Sequence, residues 1–264
     1  MSRSATSKDA LILGLTSALA FATAMLSTTF IHEACHALAA LALGLSPQIV
    51  VFNEYNAVTM SWQEVFVAAA GPLGSLVTGL LFLWAYSRDH RRFSYPNLLL
   101  LWSFVLSLTT FIEYLIITPF WTRGDTGVIA RLVHVPLGAQ YIVMVVGLGL
   151  LVAFGPIVGE AVLDTAPAAT SLESPEERKI FMRQIFLFPL LYGLPLVMVA
   201  CVGANPVSIT NALLSVLGGL PIYALAFRQT YKVYTRPPGS LIGETPRIQP
   251  LAVVLYLALT IFYL

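Results

Sequence analysis

Residues 11–43 read LILGLTSALAFATAMLSTTFIHEACHALAALAL, an apolar run with two histidines and a glutamate near its end. A single helix crosses a hydrocarbon core of about 30 Å with roughly 20 apolar residues. The run is too long for one simple crossing and too short for a hairpin of two. It predicts a membrane helix that carries His32, Glu33 and His36 at membrane depth.

The composition of the whole chain also indicates a membrane protein. Of the 264 residues, 58% are hydrophobic and 10% are charged, whereas a soluble domain carries about 25% charged residues. The net charge of +1 provides no basic surface for nucleic acid. The composition therefore excludes soluble, disordered and disulfide-scaffold classes, and the expected surroundings are a lipid bilayer, with no nucleic-acid partner.

Apolar runs recur along the rest of the chain. Seven of them are candidate membrane helices, at residues 11–43, 64–86, 95–118, 137–162, 185–203, 208–227 and 249–264. We predict an all-α, polytopic membrane helix bundle of about six to seven transmembrane helices. A short irregular or β-hairpin segment is expected after the first of them.

The basic residues are distributed unevenly between the loops. If each run crosses once, all of the 14 Lys and Arg residues except Arg123 and Arg131 fall on one side. Cytoplasmic loops carry an excess of Lys and Arg, so the N-terminus is predicted to be cytoplasmic. The mixed acidic and basic stretch 173–183 is predicted to be a solvated loop with a helical turn.

The stretch His32-Glu33-Ala34-Cys35-His36 has the spacing of a zinc site. Four residues advance a helix by about 6 Å and slightly more than one turn, so both imidazoles can reach one zinc ion at about 2.0–2.1 Å. Glu33 lies about 100° round the helix, where it can accept a proton from water. A chance match is the alternative, but polar groups inside a membrane are costly without partners. The stretch predicts one Zn²⁺, with Glu33 as the catalytic residue.

A catalytic zinc ion needs a third protein ligand and an open position. Asp125 is the favoured candidate because the order of the runs puts it on the same side as the two histidines. Flanking glycines, Gly124 and Gly127, let the backbone bend there. The alternative interpretation of Asp125 is an ion pair with Arg123.

Other ligand candidates are weaker. Glu160 has the E-x-x-x-D form used by other H-E-x-x-H proteases, but it falls on the opposite side of the membrane in the seven-crossing topology. Glu113 is predicted to be buried and to hydrogen-bond the site, and it is a third choice as a ligand. His134 is expected at the interface and His90 in a solvated basic loop.

Three features, taken in order, resemble the site-2 protease family of intramembrane zinc metalloproteases. They are the H-E-x-x-H helix closed by Gly44, the stretch Ala70-Gly71-Pro72 in the place of the family's helix opening, and Asp125-Thr126-Gly127 in the place of its aspartate-glycine motif. The resemblance covers residues 11 to about 135. It implies a zinc ion bound by His32, His36 and Asp125.

The chain departs from the family pattern in three ways. Cys35 replaces the usual glycine, and its thiol is expected to crowd a neighbouring helix. The stretch Thr118-Pro119-Phe120-Trp121 stands where an asparagine-proline pattern is usual, which leaves a substrate-positioning or oxyanion role unfilled. Family members place the metal nearer the cytoplasmic face, whereas the basic residues here put His32 and Asp125 nearer the opposite face.

The predicted function is a zinc-dependent intramembrane metalloprotease that hydrolyses peptide bonds of membrane-protein substrates. Residues 1–135 form its metalloprotease-like membrane core, and residues 136–264 add transmembrane helices that act as scaffold or substrate gate in the same membrane domain. The alternative is a zinc-binding or degenerate protease-like membrane protein that binds or regulates a client without catalysis. Glu33 favours the enzyme, because a structural metal site does not need it, and the missing asparagine favours the alternative.

Overall fold

The structure is a computed structural model. It describes residues 7–50, 53–55, 61–89, 94–167, 170, 172–201, 206–232 and 249–263. His90, the basic loop around it and the N-terminal Arg3 lie outside the described residues.

Helices make up nearly all of the described chain, in agreement with the predicted class. In chain order the elements are α1 (Ser7–Ala42), β1 (Gln48–Val50), β2 (Asn53–Tyr55), α2 (Ser61–Asp89), α3 (Tyr95–Ile117), α4 (Asp125–Leu132), α5 (Leu137–Asp164), α6 (Pro175–Phe188), a π-helical turn (Pro189–Gly193), α7 (Leu194–Ala200), α8 (Pro206–Phe227), a 3₁₀ turn (Arg228–Tyr231) and α9 (Pro250–Tyr263).

Five helical segments within the described ranges are long and apolar enough to cross a membrane. They are Ala10–Ala42, Trp62–Arg88, Tyr95–Ile117, Leu137–Asp164 and Pro175–Ala200. The side chains of α8 are described only in part, and α9 is a shorter apolar helix. The chain is thus a multi-span helical protein, while the total of six to seven spans stays a prediction.

The long first run forms one uninterrupted helix, α1, which resolves the ambiguity of its length. Its end is set by Gly44, whose φ of +74° lies in the left-handed region that favours glycine. The backbone N–H of Leu45 then donates to the carbonyl of Ala40. Strands β1 and β2 follow and pair antiparallel. Because residues 51–52 and 56–60 lie outside the described ranges, the hairpin as a whole stays a prediction.

The second helix begins earlier than the family pattern implies. Pro72 was expected at a helix opening, yet α2 begins at Ser61 and Pro72 lies inside it. A proline inside a helix removes one backbone hydrogen bond. Membrane helices tolerate this when neighbouring helices supply new partners for the freed backbone groups.

The fifth span also begins earlier than predicted. Residues 173–183 were expected to form a solvated loop, but α6 begins at Pro175 after a capping box formed by Ser174 and Glu177. Proline at the first position and a Ser-x-x-Glu pair are a typical helix start. Arg178 is buried rather than solvated, because its guanidinium donates to the backbone carbonyls of Leu172, Glu173 and Thr230.

The core lies where four helices meet around Trp102 of α3. Its ring makes edge contacts with Phe21 of α1, Phe186 of α6 and Tyr223 of α8. The indole N–H donates to the hydroxyl of Ser17, which in turn donates to a backbone carbonyl of α6. This cluster joins the first half of the chain to the second.

The two ends of the bundle are defined by the course of α5. In its first half, Gly147 packs against Ile116 at the end of α3. Near its end, the carbonyl of Ala161 accepts a hydrogen bond from Tyr86 in the last turns of α2.

His32, in the last part of α1, contacts Asp125 shortly after α3, so these two segments share one end of the bundle. Gly159, near the end of α5, packs against Gln229 of the 3₁₀ turn to which Arg178 donates, so Arg178 lies at the other end.

Candidate metal centre

Helix α1 places His32 and His36 on one buried face. The two residues are 6% and 5% exposed, and their Nε2 atoms lie 3.1 Å apart. The separation of four residues brings successive side chains one above the other on a helix. The predicted spacing thus produces two imidazoles that converge on one point.

Asp125 brings a carboxylate to the same point. Its Oδ2 atom lies 3.1 Å from His32 Nε2 and 3.3 Å from His36 Nε2. In a tetrahedral zinc site with bonds of about 2.0–2.1 Å, neighbouring ligand atoms are about 3.3–3.4 Å apart. The three atoms therefore have nearly the separation that three of the four zinc ligands require.

The beginning of α4 is fixed by hydrogen bonds to the end of α3. The hydroxyls of Thr118 and Thr126 both donate to the Tyr114 carbonyl, at 2.7 Å each. Gly127 allows the α4 backbone to lie close to the backbone of Trp121, because a Cβ at this position would overlap the Trp121 carbonyl oxygen. These contacts hold Asp125, the first residue of α4, against the histidines.

Each imidazole is oriented by a partner on α2. Nδ1 of His36 donates to the carbonyl of Val67 at 2.7 Å, and Nδ1 of His32 lies 2.9 Å from the hydroxyl of Ser75. A carbonyl only accepts, so neutral His36 keeps its lone pair on Nε2. Partners of this kind fix the tautomer and ring orientation of metal-binding histidines.

The resulting arrangement places acceptors opposite each other. The lone pair of His36 Nε2 faces the Asp125 carboxylate at 3.3 Å. Two acceptors at this distance repel unless a proton or a cation lies between them. The donor set and its spacing therefore fit a bound metal ion.

Gly71 of α2 provides the space that an ion needs. A Cβ atom there would overlap His36 Nε2 and would lie 2.7 Å from His32 Nε2. Only glycine lets the α2 backbone approach both nitrogens without covering them. On the other side, the Tyr114 ring stacks on His32, with ring centroids 5.5 Å apart.

The Asp125 carboxyl is held in its ionised form. Burial acts to raise its pKa, but His32 and His36, when they carry a proton and donate to the carboxylate, outweigh burial and hold the pKa below its usual range. Asp125 lies against the histidines, as the favoured interpretation predicted, and Arg123, its partner in the alternative interpretation, is exposed. An ionised carboxylate beside two imidazoles is a ligand set for a divalent cation.

Glu33 is half-buried beside the three clustered residues. Glu33 is close enough to His36 and Tyr114 to interact electrostatically with both. Within the described residues, the potential metal-binding group consists of His32, His36 and Asp125 and does not include Glu33. This position, near the cluster but not in it, is the one that a proton-transfer group requires.

Cys35 is accommodated by a glycine opposite. A Cβ at Gly74 of α2 would overlap the Cys35 thiol. The expected crowding of a neighbouring helix is thus relieved by the absence of a side chain at that position.

The weaker ligand candidates lie elsewhere. Glu160 and His134 are exposed and outside the cluster. Glu113 was expected to hydrogen-bond the site, but within the described residues its buried Oε1 has no hydrogen-bond partner and lies against Gly218 of α8. The face of α3 that carries Glu113 therefore points to α8, whereas the neighbouring Tyr114 faces the histidines.

Sequence reasoning missed Ser75, Val67 and Tyr114. The first had a signal, because Ser75 follows Gly71 by four residues and so shares its helix face. The other two had none, since a backbone carbonyl and a ring stacked from another helix leave no pattern along the chain.

Comparison with known proteins gives one match. The family model described as Peptidase M50B-like matches residues 10–157, more than half of the chain. The match includes His32, His36 and Asp125 and extends beyond the region that carries the sequence resemblance. Neither the curated proteins nor the solved structures gave a match.

Proposed function

The chain belongs to the Peptidase M50B-like family, which is the site-2 protease family, and on this basis we propose that it is a zinc-dependent intramembrane metalloprotease. Its substrates are membrane proteins. The observation that carries the proposal is the triangle of two Nε2 atoms and one carboxylate oxygen with sides of 3.1–3.3 Å.

The donor set favours zinc among the common cations. Two imidazole nitrogens and one carboxylate match catalytic zinc sites, which keep a fourth position for water or substrate. Magnesium and calcium prefer sites built from oxygen ligands. We therefore assign one Zn²⁺ to His32, His36 and Asp125.

The reaction proposed for the site is hydrolysis of a peptide bond. A bound zinc ion lowers the pKa of water to about 7 and polarises the carbonyl group to be attacked. Glu33 takes a proton from the attacking water and returns it to the leaving nitrogen as the C–N bond breaks. Ser75 and Val67 hold the imidazoles, and the threonines at the start of α4 hold Asp125.

The substrate must present an unfolded backbone. A helix hides its carbonyl groups in hydrogen bonds, and inside a membrane these bonds open only where other partners replace them. We therefore expect a transmembrane reporter with Gly or Pro near the cleavage position to be cut faster than a uniformly apolar one.

Replacement of Glu33 by Gln tests the reaction and separates the enzyme from the alternative. Gln keeps the size of the side chain but cannot accept the proton, so we expect cleavage of a reconstituted transmembrane reporter to fall by at least about a hundredfold. Zinc content, measured on the same protein by mass spectrometry, should remain at one per chain.

Glu160→Gln is the matched control, since it makes the same change at an exposed acid outside the cluster. It should cleave like the wild type. Cleavage by Glu33→Gln at the wild-type rate would refute the catalytic role. A wild type that holds zinc and cleaves no membrane segment would instead support client binding without catalysis.

A further inference from the structure

The end of the bundle opposite the candidate metal centre carries several cations. A cavity of about 290 Å³ opens there between α6, the end of α8 and the 3₁₀ turn. Its lining includes three cations, Lys179, Arg183 and Arg228, together with the rings of Phe227 and Tyr231. None of these residues takes part in the proposed hydrolysis, so an inference about this cavity does not rest on that function.

The walls of the cavity are held by Arg178. Its guanidinium donates to the Thr230 carbonyl at 2.9 Å and to the carbonyls of Leu172 and Glu173 before α6. Arg178 is 4% exposed and Thr230 is fully buried. This clamp ties the 3₁₀ turn to the start of α6, so the cations on both walls keep their relative positions.

Positive charge dominates the cavity. The described residues that line the cavity include no acid. Glu176, whose side chain is 75% exposed, lies 2.8 Å from Lys179. Lys179 also lies over the ring of Tyr231, at 4.6 Å from its centroid. Lys179 is thus partly compensated, which leaves Arg183 and Arg228 as the cations available to an anion.

Exposed apolar side chains lead from both arginines along the helices. Residues three or four apart share a helix face. On the face of Arg183, the exposed residues further along the span are Leu187 and Leu191; on the face of Arg228, α8 exposes Leu213, Leu217 and Leu220. Both stripes point away from the end of the bundle, as the acyl chains of a lipid would.

We propose that this cavity binds the phosphate head group of an anionic phospholipid. Arg183 and Arg228 contact the phosphate, because guanidinium groups match phosphate oxygens bidentately, and the acyl chains lie along the two stripes. Basic pockets between transmembrane helices are suited to such head groups. A volume of about 290 Å³ holds a head group but not a whole lipid.

The test is titration of the full-length protein, in zwitterionic detergent micelles, with fluorescent phosphatidylglycerol. Each arginine near an anionic lipid contributes about fivefold in affinity, so Arg183→Gln/Arg228→Gln should bind more than about tenfold more weakly. Arg123→Gln/Arg131→Gln removes the same charge at the other end of the bundle and should bind within twofold of wild type.

A variant with unchanged charge tests the site independently, in case the double variant misfolds. Ala224→Trp fills the cavity from an exposed position on α8, and it should also weaken binding by at least about tenfold. Equal losses in the two double variants, or no loss in Ala224→Trp, would overturn the site. Displacement of the lipid by inorganic phosphate at equal concentration would show a site for the free anion and overturn the lipid assignment.

Discussion

At one end of the bundle, two imidazole nitrogens and a carboxylate oxygen face one another at 3.1–3.3 Å. At the other end, the buried guanidinium of Arg178 donates to three backbone carbonyls. His32, His36 and Arg178 are buried, and the Asp125 side chain is 20% exposed. The two groups differ in whether donors and acceptors are matched.

This difference is the one expected between a candidate metal site and a structural cluster. Around Arg178, Nε and Nη1 direct three of the five guanidinium donors to backbone carbonyls. Around His36, Val67 takes the one proton of the neutral ring, and the remaining lone pair faces a carboxylate. A buried surplus of acceptors is stable only with a cation or a proton among them.

Removal of Asp125 should have the largest effect on zinc. Structural zinc sites with four ligands bind with about 10–16 kcal/mol, or roughly 3 kcal/mol for each ligand. We therefore expect Asp125→Ala to weaken zinc binding by at least about a hundredfold, measured by competition with a chelating dye. Glu160→Ala should leave the affinity unchanged, and zinc loss in this control would contradict the assignment of Asp125.

Replacement of Gly71 should have the next largest effect, although no ligand is removed. The new methyl group overlaps His36 Nε2, and overpacking of this kind costs about 1–3 kcal/mol. Gly71→Ala should therefore weaken zinc binding by roughly tenfold or more in the same assay.

Gly74→Ala is the matched control for Gly71→Ala. It adds the same methyl group to the same helix, but against the thiol of Cys35. We expect a lower unfolding temperature and an unchanged zinc affinity. Equal zinc loss in both variants would mean that disruption of α2, and not occlusion of the nitrogens, is responsible.

Ser75 should have a smaller effect, because it supports a ligand without binding the metal. Loss of such a partner costs about 10–100-fold in affinity, and water can partly replace a hydroxyl, so Ser75→Ala should cost about tenfold. Thr78→Ala removes a hydroxyl one turn away that donates to the Gly74 carbonyl, and it should bind zinc normally. A normal affinity in Ser75→Ala would show that His32 is oriented without this contact.

Arg178 should have no effect on zinc. Arg178→Met leaves three carbonyls without their donor, which should lower the free energy of unfolding by about 2–4 kcal/mol, while zinc affinity stays within twofold. Arg183→Met, at an exposed neighbour, is the control for the stability measurement in detergent. Zinc loss in Arg178→Met would mean that the two ends are coupled.

The metal end was more predictable from sequence than the Arg178 end. The H-E-x-x-H spacing fixes the relation of His32 and His36 on any helix, and the order of the apolar runs was enough to bring Asp125 to them. The metal-binding role of all three stays a prediction that the experiments above address. Ser75 and Tyr114 were missed because their roles depend on how α2 and α3 pack on α1.

The Arg178 end was predicted wrongly. Its charge-rich sequence is typical of a solvated loop, but the acceptors of Arg178 come from segments 52 and 6 residues away, and composition does not show that they converge. The start of α6 could have been predicted from the sequence, since Ser174 and Glu177 have the spacing of a capping box. Pro72 was likewise interpreted as a helix opening, although it lies inside α2. The sequence around a proline does not show whether neighbouring helices supply partners for the backbone groups that it frees.

The length of α1 has a consequence for where in the bilayer the metal centre lies. Its apolar part, Ala10–Ala42, has 33 residues and is about 50 Å long, whereas the hydrocarbon core is about 30 Å thick. To fit entirely inside, the helix would need a tilt of more than about 50°, beyond the roughly 0–40° range of transmembrane helices. One end of α1 must therefore protrude, and His36 lies six residues, or about 9 Å, from its C-terminal end. Hydrophobic mismatch thus links the thickness of the bilayer to the length of α1 that lies outside the hydrocarbon core.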